Sequence, residues 1–265
     1  MINIIVPFSR PQFLDNVTDN FKRQNYPDKK LIVVENGEGI GFFANTGCTV
    51  LSSGCHHALA KNEAITWIKR NGGGWWVTMD DDDYYGPNYV TEVVENISNA
   101  DVLGKSDRFF KDEDNLYLMD GGYENEYVFG VLGATLAARA EDSCELKEET
   151  HDDVLFCQDM VNKGARIYAT SKFHFVHSRY NGIKTSWDID VQEMAQNALD
   201  TGQRVLRWRG IPLDIINGLA KIDGYTEVER DRSVPPKRLK NQGMSFENLV
   251  RSYGIEPDPK LLSSD

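Results

Sequence analysis

An α/β fold, with a mostly parallel sheet and helices on both faces, is predicted by three observations. Short β-branched runs alternate with stretches of helical periodicity. Turns rich in Gly, Asn and Pro separate them. The apolar run Trp75-Trp76-Val77-Thr78-Met79 leads directly into four consecutive aspartates, Asp80, Asp81, Asp82 and Asp83. Such an open sheet binds ligands beyond the carboxyl ends of its strands.

The elements follow in order. Ile2–Val6 reads as a buried strand ended by Pro7. Pro11–Arg23 carries Phe13, Leu14, Val17 and Phe21 at helical spacing, and Tyr26-Pro27-Asp28 breaks it. Leu31–Val34 is a second strand, closed by Glu35-Asn36-Gly37. Strand, helix and strand make a βαβ unit with parallel pairing and a right-handed crossover. Residues 37–54, rich in Gly, Thr, Ser and Asn, read as a loop. His57–Arg70 is a helix stopped by Asn71-Gly72-Gly73-Gly74, and Trp75–Met79 is the next strand. Pro87–Ile97 reads as a helix, Asp101–Gly104 as a strand and residues 107–127 as a hairpin. In the apolar stretch Val128–Arg139, Gly130 and Gly133 permit close backbone approach. Glu141–Asp153 is acidic, Val154–Lys163 is a helix stopped at Gly164, and Ile167–Thr170 and Phe173–Val176 are strand-like.

From residue 186 the character changes. Asp188–Thr201 is a helix ended by Gly202. Arg204, Arg207, Arg209, Arg230, Arg232, Lys237, Arg238 and Lys240 then form the one basic region of an acidic chain. The domain reading is a catalytic α/β domain over 1–185, with halves 1–100 and 101–185, and a mainly helical C-terminal extension over 186–265.

A chain of 265 residues permits one large domain or a domain with an appendage. Net charge −12 excludes a generally basic nucleic-acid surface, while a local basic patch stays open. No apolar stretch approaches the ~20 residues that span a bilayer. The opening Met1-Ile2-Asn3-Ile4-Ile5-Val6 reads as a strand, not a signal peptide. Cys48, Cys55, Cys144 and Cys157 suggest no disulfide framework, so a reduced, cytoplasmic protein is expected. Cys55-His56-His57 with Cys48 offers zinc-type ligands, but no C-x-x-C pair accompanies them.

Four adjacent carboxylates repel one another and are costly to desolvate beside a buried strand. A divalent cation offsets both effects, and an oxygen-rich cluster suits Mn²⁺ or Mg²⁺. A solvated acidic turn is the alternative. Pro7-Phe8-Ser9-Arg10, Glu35-Asn36-Gly37 and Asp80–Asp83 all follow strands and are expected to share one crevice.

These motifs resemble the GT-A glycosyltransferases, in particular the inverting family-2 group, over about residues 1–185. Pro7-Phe8-Ser9-Arg10-Pro11 resembles the family's first turn, one residue shorter. Val33-Val34-Glu35-Asn36-Gly37 is similar to its base-holding turn, and Ala60-Lys61-Asn62 to its Ala-Arg-Asn turn. Met79-Asp80-Asp81-Asp82-Asp83-Tyr84-Tyr85-Gly86-Pro87 fits its D-x-D segment without a gap. Asp152-Asp153-Val154-Leu155-Phe156-Cys157 and Gly164-Ala165-Arg166-Ile167 fit its second acidic motif, with Asp152 where Glu is usual.

The resemblance implies a Rossmann-like nucleotide-binding sheet and transfer of a sugar, with inversion, from a nucleoside-diphosphate sugar, a UDP-sugar first, to an acceptor hydroxyl. Asp82 becomes the main metal ligand, with Asp80, and Asp80 and Asp81 lie near ribose and diphosphate. Pro7, Phe8, Arg10, Glu35, Asn36, Lys61 and Asn62 bind the donor. Gly133 and Ala134 line the acceptor side. Asp153 becomes the general base beside Asp152, although two acidic residues also suit the first turn of a helix. His177 is preferred over His174 as a further metal ligand because it lies nearer the strand end. Arg179-Tyr180 stands where relatives carry an Arg-His pair. A glycan or glycoconjugate is the expected acceptor. The basic tail admits a hydroxymethylated base of phage DNA. A sugar-phosphate nucleotidylyltransferase and a non-catalytic sugar-binding module are the competing readings.

Overall fold

The computed structural model describes residues 1–37, 40–43, 47–53, 56–148, 152–180 and 190–230. Two sheets carry the fold. The first holds β1 (Ile2–Phe8), β2 (Lys29–Glu35), β3 (Thr49–Ser52), β4 (Trp75–Thr78), β6 (Val102–Gly104), β9 (Glu126–Val128), β10 (Ala137–Arg139) and β11 (Ile167–Ala169). Their spatial order is β3-β2-β1-β4-β10-β6-β11-β9. The four strands from β3 to β4 are parallel. β10 enters antiparallel between β4 and β6.

Helices cover both faces, as the alternation of the strand side chains requires. Ile5, Ile32 and Trp76 face α2 (His57–Arg70) and α4 (Asp152–Asn162) through Ala64, Ile68, Phe156 and Met160. Ile4, Val6, Val33 and Val77 face α1 (Leu14–Arg23) and α3 (Tyr89–Asn96) through Val17, Val90 and Val93. β1 and β2 therefore read as continuous apolar runs because both faces are buried.

The second sheet has the order β14-β13-β8-β7-β12-β5. It contains β5 (Tyr84–Tyr85), β7 (Arg108–Lys111), β8 (Asn115–Asp120), β12 (Phe175–Ser178), β13 (Arg204–Arg209) and β14 (Thr226–Glu227). α5 (Val191–Asp200) packs on one face through Met194 and Ala198, and α6 (Leu213–Ile216) on the other through Ile215 and Ile216.

Several elements differ from the sequence expectation. β1 runs through Pro7 to Phe8. The Phe8 carbonyl accepts from the Asn36 N–H on the β2 side, and the Ile5 carbonyl from the Met79 N–H on the β4 side. Alternation turns Pro7 toward β4, whose pairing stops at Ile5↔Thr78, so its missing N–H interrupts no ladder. Residues 37–54 are not all loop, because Thr49–Ser52 pairs with β2 as an edge strand. The start of the helix expected over 188–201 lies outside the described residues, and its described part is α5. The basic segment 204–209 is a strand bonded along β8. Among the described residues, 190–230 thus continue the second sheet and contribute strands as well as helices. Cys144 and Cys157 carry free thiols, and Cys55 lies outside the described residues. Among the described residues no helix is long and apolar enough to cross a membrane.

Candidate active site

The four aspartates are the crossing from β4 of the first sheet to β5 of the second. Their backbone is held on several sides. Asn16 Nδ2 donates to the carbonyls of Asp81 (2.7 Å) and Asp83 (2.9 Å), and Asn20 Nδ2 donates to Asp83 O (2.8 Å). The Asp80 N–H donates to Tyr85 Oη (2.7 Å), whose hydroxyl donates to Ala134 O (2.8 Å). Tyr180 Oη donates to Asp82 O at 3.2 Å. A turn fixed this way aims each carboxylate in a set direction.

Arg10 takes two of them. Its guanidinium pairs with Asp81, and Nη1 donates to Asp82 Oδ2 at 2.8 Å. Asp80 Oδ1 lies 3.3 Å from His57 Nε2. Asp83 Oδ1 accepts from the Ser178 N–H (2.8 Å), while Oδ2 lies 3.5 Å from His177 Nδ1. His177 is therefore at the aspartates. His174 precedes β12, has a left-handed φ of 64° and lies against Gly86.

Burial is the largest influence on these groups. It pushes Asp81 up to about 6, against Arg10 and with the help of Asp82 and Asp80. It raises Asp82 and Asp83 as well, Asp83 most strongly, with neighbouring carboxylates adding to it. For Asp80, burial is outweighed by the positive charges of Lys61 and His57, which hold the carboxyl well below its ordinary range. Burial, with Arg179 and Arg108 nearby, drives His177 well below its usual value.

A carboxyl whose folded value exceeds its unfolded one binds its proton more tightly in the native state. Stability then rises as pH falls from 7 through about 6 toward 4. Asp80 has the opposite sign and loses its contribution only as pH falls below the ordinary carboxylate range. His177 and His174, held below the ordinary histidine value of 6.5, act the other way and lose stability as pH falls through it. The carboxylate contribution is therefore isolated with Asp81→Asn: its stability relative to wild type should fall by about 1 kcal/mol between pH 7 and pH 5, measured by urea unfolding. A stability difference between the two proteins that stays the same or moves the other way between pH 7 and pH 5 would contradict the raised Asp81.

The second acidic pair opens α4. Asp153 Oδ2 accepts from the Gly133 N–H at 2.9 Å, and Oδ1 accepts from the Val154 N–H at 2.9 Å. Gly133 permits this approach, since a Cβ there would lie 3.1 Å from Asp153 Cβ. The Gly133 carbonyl accepts from Lys61 Nζ (3.2 Å) and from Thr78 Oγ1 (2.9 Å), one residue before Met79 on the strand that leads to the aspartates. His57 completes a second link, with Nδ1 4.0 Å from Asp152 Oδ2 and Nε2 on Asp80. Both acidic groups thus meet around Gly133, Lys61 and His57.

Other residues assigned to the donor are engaged within the protein. Glu35 accepts from the N–H groups of Gly41 (2.7 Å) and Phe43 (2.6 Å), so it shapes the loop beyond β2. Phe8 packs edge-on to Phe43, with ring centroids 4.9 Å apart. Asn62 exchanges two hydrogen bonds with the Leu146 backbone. Asn36 is buried beside the end of β1, its N–H on Phe8 O.

Three groups near the carboxylates were given no role beside them in the sequence reading: His57 as a bridge, and Arg108 and Arg179 on the second sheet. His57 was legible only as a zinc-type residue. In the structure His56 instead receives the Ala58 N–H on its Nδ1 at the start of α2, leaving His57 to face the aspartates.

The donor set suits a hard divalent cation, with crowded carboxylates and an enclosed Asp83 Oδ2 that has no hydrogen-bond partner. Among the described residues no three His, Cys, Asp or Glu side chains converge into a ligand set. Arg10 holds Asp81 and Asp82 and supplies the positive charge there. The fit is one of residue chemistry.

No family model matches the sequence, and no curated protein matches it. Solved structures do. Residues 1–349 of S. aureus TarS, in complex with UDP-GlcNAc, match at TM-score 0.51 and 16% identity, over 76% of this chain and 64% of that one. The mannosyltransferase PcManGT from Pyrobaculum calidifontis, in complex with GDP-Man and Mn²⁺, matches at TM-score 0.50 and 15% identity, over 66% of this chain and 56% of that one. The chain spans less than two thirds of the length of either structure. The fold of this chain is the GT-A fold.

Proposed function

We propose that the chain is a metal-dependent, inverting glycosyltransferase that moves a sugar from a nucleoside-diphosphate sugar to an acceptor hydroxyl. The observation that carries this is the meeting of Asp80–Asp83 and Asp152–Asp153 around Gly133, Lys61 and His57 at the end of β4. A GT-A fold and a structural neighbour solved with GDP-Man and Mn²⁺ support the same reading.

In this mechanism Asp82, with Asp80 and His177, would hold Mn²⁺ or Mg²⁺, which would supply positive charge to the diphosphate leaving group. Arg10 and Lys61 add fixed cations on the donor side, and the turn after β2 with Asn36 holds the nucleoside, a UDP-sugar first. Gly133 orients the Asp153 carboxylate through its N–H. Asp153 takes the proton of the acceptor hydroxyl as that oxygen attacks the anomeric carbon from the face opposite the diphosphate. The acceptor is a glycan or glycoconjugate.

Nucleotide release is the test. With Mn²⁺ and a panel of nucleotide sugars, the chain should release the nucleoside diphosphate by slow donor hydrolysis. The matching donor should raise Tm in a concentration-dependent way. Neither release nor stabilisation with any donor would remove the proposal. Pyrophosphate released from a nucleoside triphosphate and a sugar phosphate would establish a nucleotidylyltransferase instead.

A further inference from the structure

We infer that Arg108 and Arg179 form a phosphate-binding subsite on the acceptor side, so that the acceptor hydroxyl belongs to a molecule carrying a phosphate group. This rests on the glycosyl-transfer reading of the site.

β7 and β12 pair in parallel with Phe110 opposite His177. Side chains two apart share a face, so Arg108, His177 and Arg179 project from the same face of the second sheet. The Arg179 N–H continues the pairing by donating to Lys111 O at 3.0 Å. The two guanidinium groups are thus directed over His177, next to the aspartates.

Arg108 is half-buried and its Nε is enclosed without a hydrogen-bond partner. Among the described residues its Nη1 donates to the Ser106 carbonyl at 3.4 Å. A guanidinium has five N–H donors, and the enclosed Nε, without a hydrogen bond inside the protein, is a donor that an anion can take up. The charged groups around Arg108 are Arg179, Asp153, Asp107 and Asp83. Around Arg179 they are Asp83, Asp82, Arg10 and Asp80.

Two of the three carboxylates near Arg108, Asp107 and Asp153, have both oxygens hydrogen-bonded, and the third, Asp83, keeps its Oδ2 beside His177. Asp107 accepts from the N–H groups of Gly121 and Tyr123, both at 2.9 Å. Asp153 accepts from Gly133 and Val154, and Asp83 from Ser178. Two like charges directed into one space are reconciled by an anion between them. A phosphate, with several acceptor oxygens, matches two planar guanidinium forks.

Position assigns this anion to the acceptor. The donor-side cations are Arg10 on the β1 side and Lys61 on α2. Arg108 stands on the second sheet with Asp153 nearby, where the attacking hydroxyl must be.

The test is calorimetric titration of inorganic phosphate into the full chain saturated with UDP and Mn²⁺. Wild type should bind phosphate. Arg108→Met and Arg179→Met should each weaken that binding at least about tenfold and change UDP affinity by less than about threefold. Should Arg108→Met fail to fold, Arg108→Lys keeps the charge without the fork and should still weaken phosphate several-fold. No phosphate binding to wild type, or binding indifferent to both arginines, overturns the subsite. Phosphate excluded by UDP, with UDP weakened tenfold in the variants, also overturns it and returns the arginines to the donor diphosphate. Phosphate binding through both arginines in a protein that never binds UDP keeps the anion site and removes the glycosyl-transfer reading.

Discussion

Asp153→Asn is expected to lower kcat by ~10²–10⁴-fold while leaving KM for the donor near its wild-type value. The reasoning is local. The Asp153 carboxylate accepts from two backbone N–H groups, those of Gly133 and Val154. An asparagine carbonyl oxygen still accepts one of them, so the start of α4 and the Gly133 turn persist. What the amide lacks is the basicity to take a hydroxyl proton. Unchanged Tm with lost turnover would separate the catalytic role from the helix-terminal role, which the same residue also fills. Wild-type kcat in a well-folded Asp153→Asn protein would remove Asp153 as the base.

Asp82→Ala is expected to weaken Mn²⁺-dependent nucleotide binding by at least ~10²-fold, measured by calorimetry with UDP in the presence and absence of Mn²⁺. Loss of outer-shell partners already costs 10–100-fold in metal affinity, and a direct ligand costs more. The variant should fold, because Arg10 retains Asp81 as its partner and the turn backbone is held by Asn16, Asn20 and Tyr180. Removing one of several crowded, buried carboxylates also relieves repulsion, so stability at pH 7 should hold or rise. Arg10 donates to Asp82 Oδ2 and would stand beside a cation held by the same carboxylate. Unchanged Mn²⁺-dependent affinity in Asp82→Ala would place the metal elsewhere.

What the sequence revealed and what it hid have separate physical causes. β1, β2 and β4 were legible because both faces of each are buried and the runs are continuously apolar. α1 and α2 were legible through their apolar periodicity. The acidic crossing stood out because four charges at a strand end conflict with burial unless something compensates them. β3 was hidden, since an edge strand paired on one side needs no apolar run, and Thr49–Ser52 sits among polar residues. β13 was hidden by its own arginines. In Arg204–Arg209, Val205, Leu206 and Trp208 are buried and the three arginines exposed, a half-buried strand that reads by charge as a basic tail. The hydrogen-bond partners of the site depend on contacts far apart in the chain. Neither the bridge from His57 to Asp80 and Asp152 nor the grip of Arg10 on Asp81 and Asp82 leaves a local pattern. Glu35 and Asn62 matched donor-site motifs by position, while their side chains hold Gly41, Phe43 and Leu146. Position in a motif identifies a place in the fold, and the hydrogen bonds then decide what the side chain does there.

A crystal structure with UDP and Mn²⁺, using anomalous scattering to locate the metal, tests the central claim most directly. The account predicts a manganese peak beside the Asp82 carboxylate, with the nucleotide in the same crevice and Asp153 facing its open side. Manganese absent from the turn after β4, or nucleotide bound away from it while Arg10 still holds Asp81 and Asp82, would contradict it.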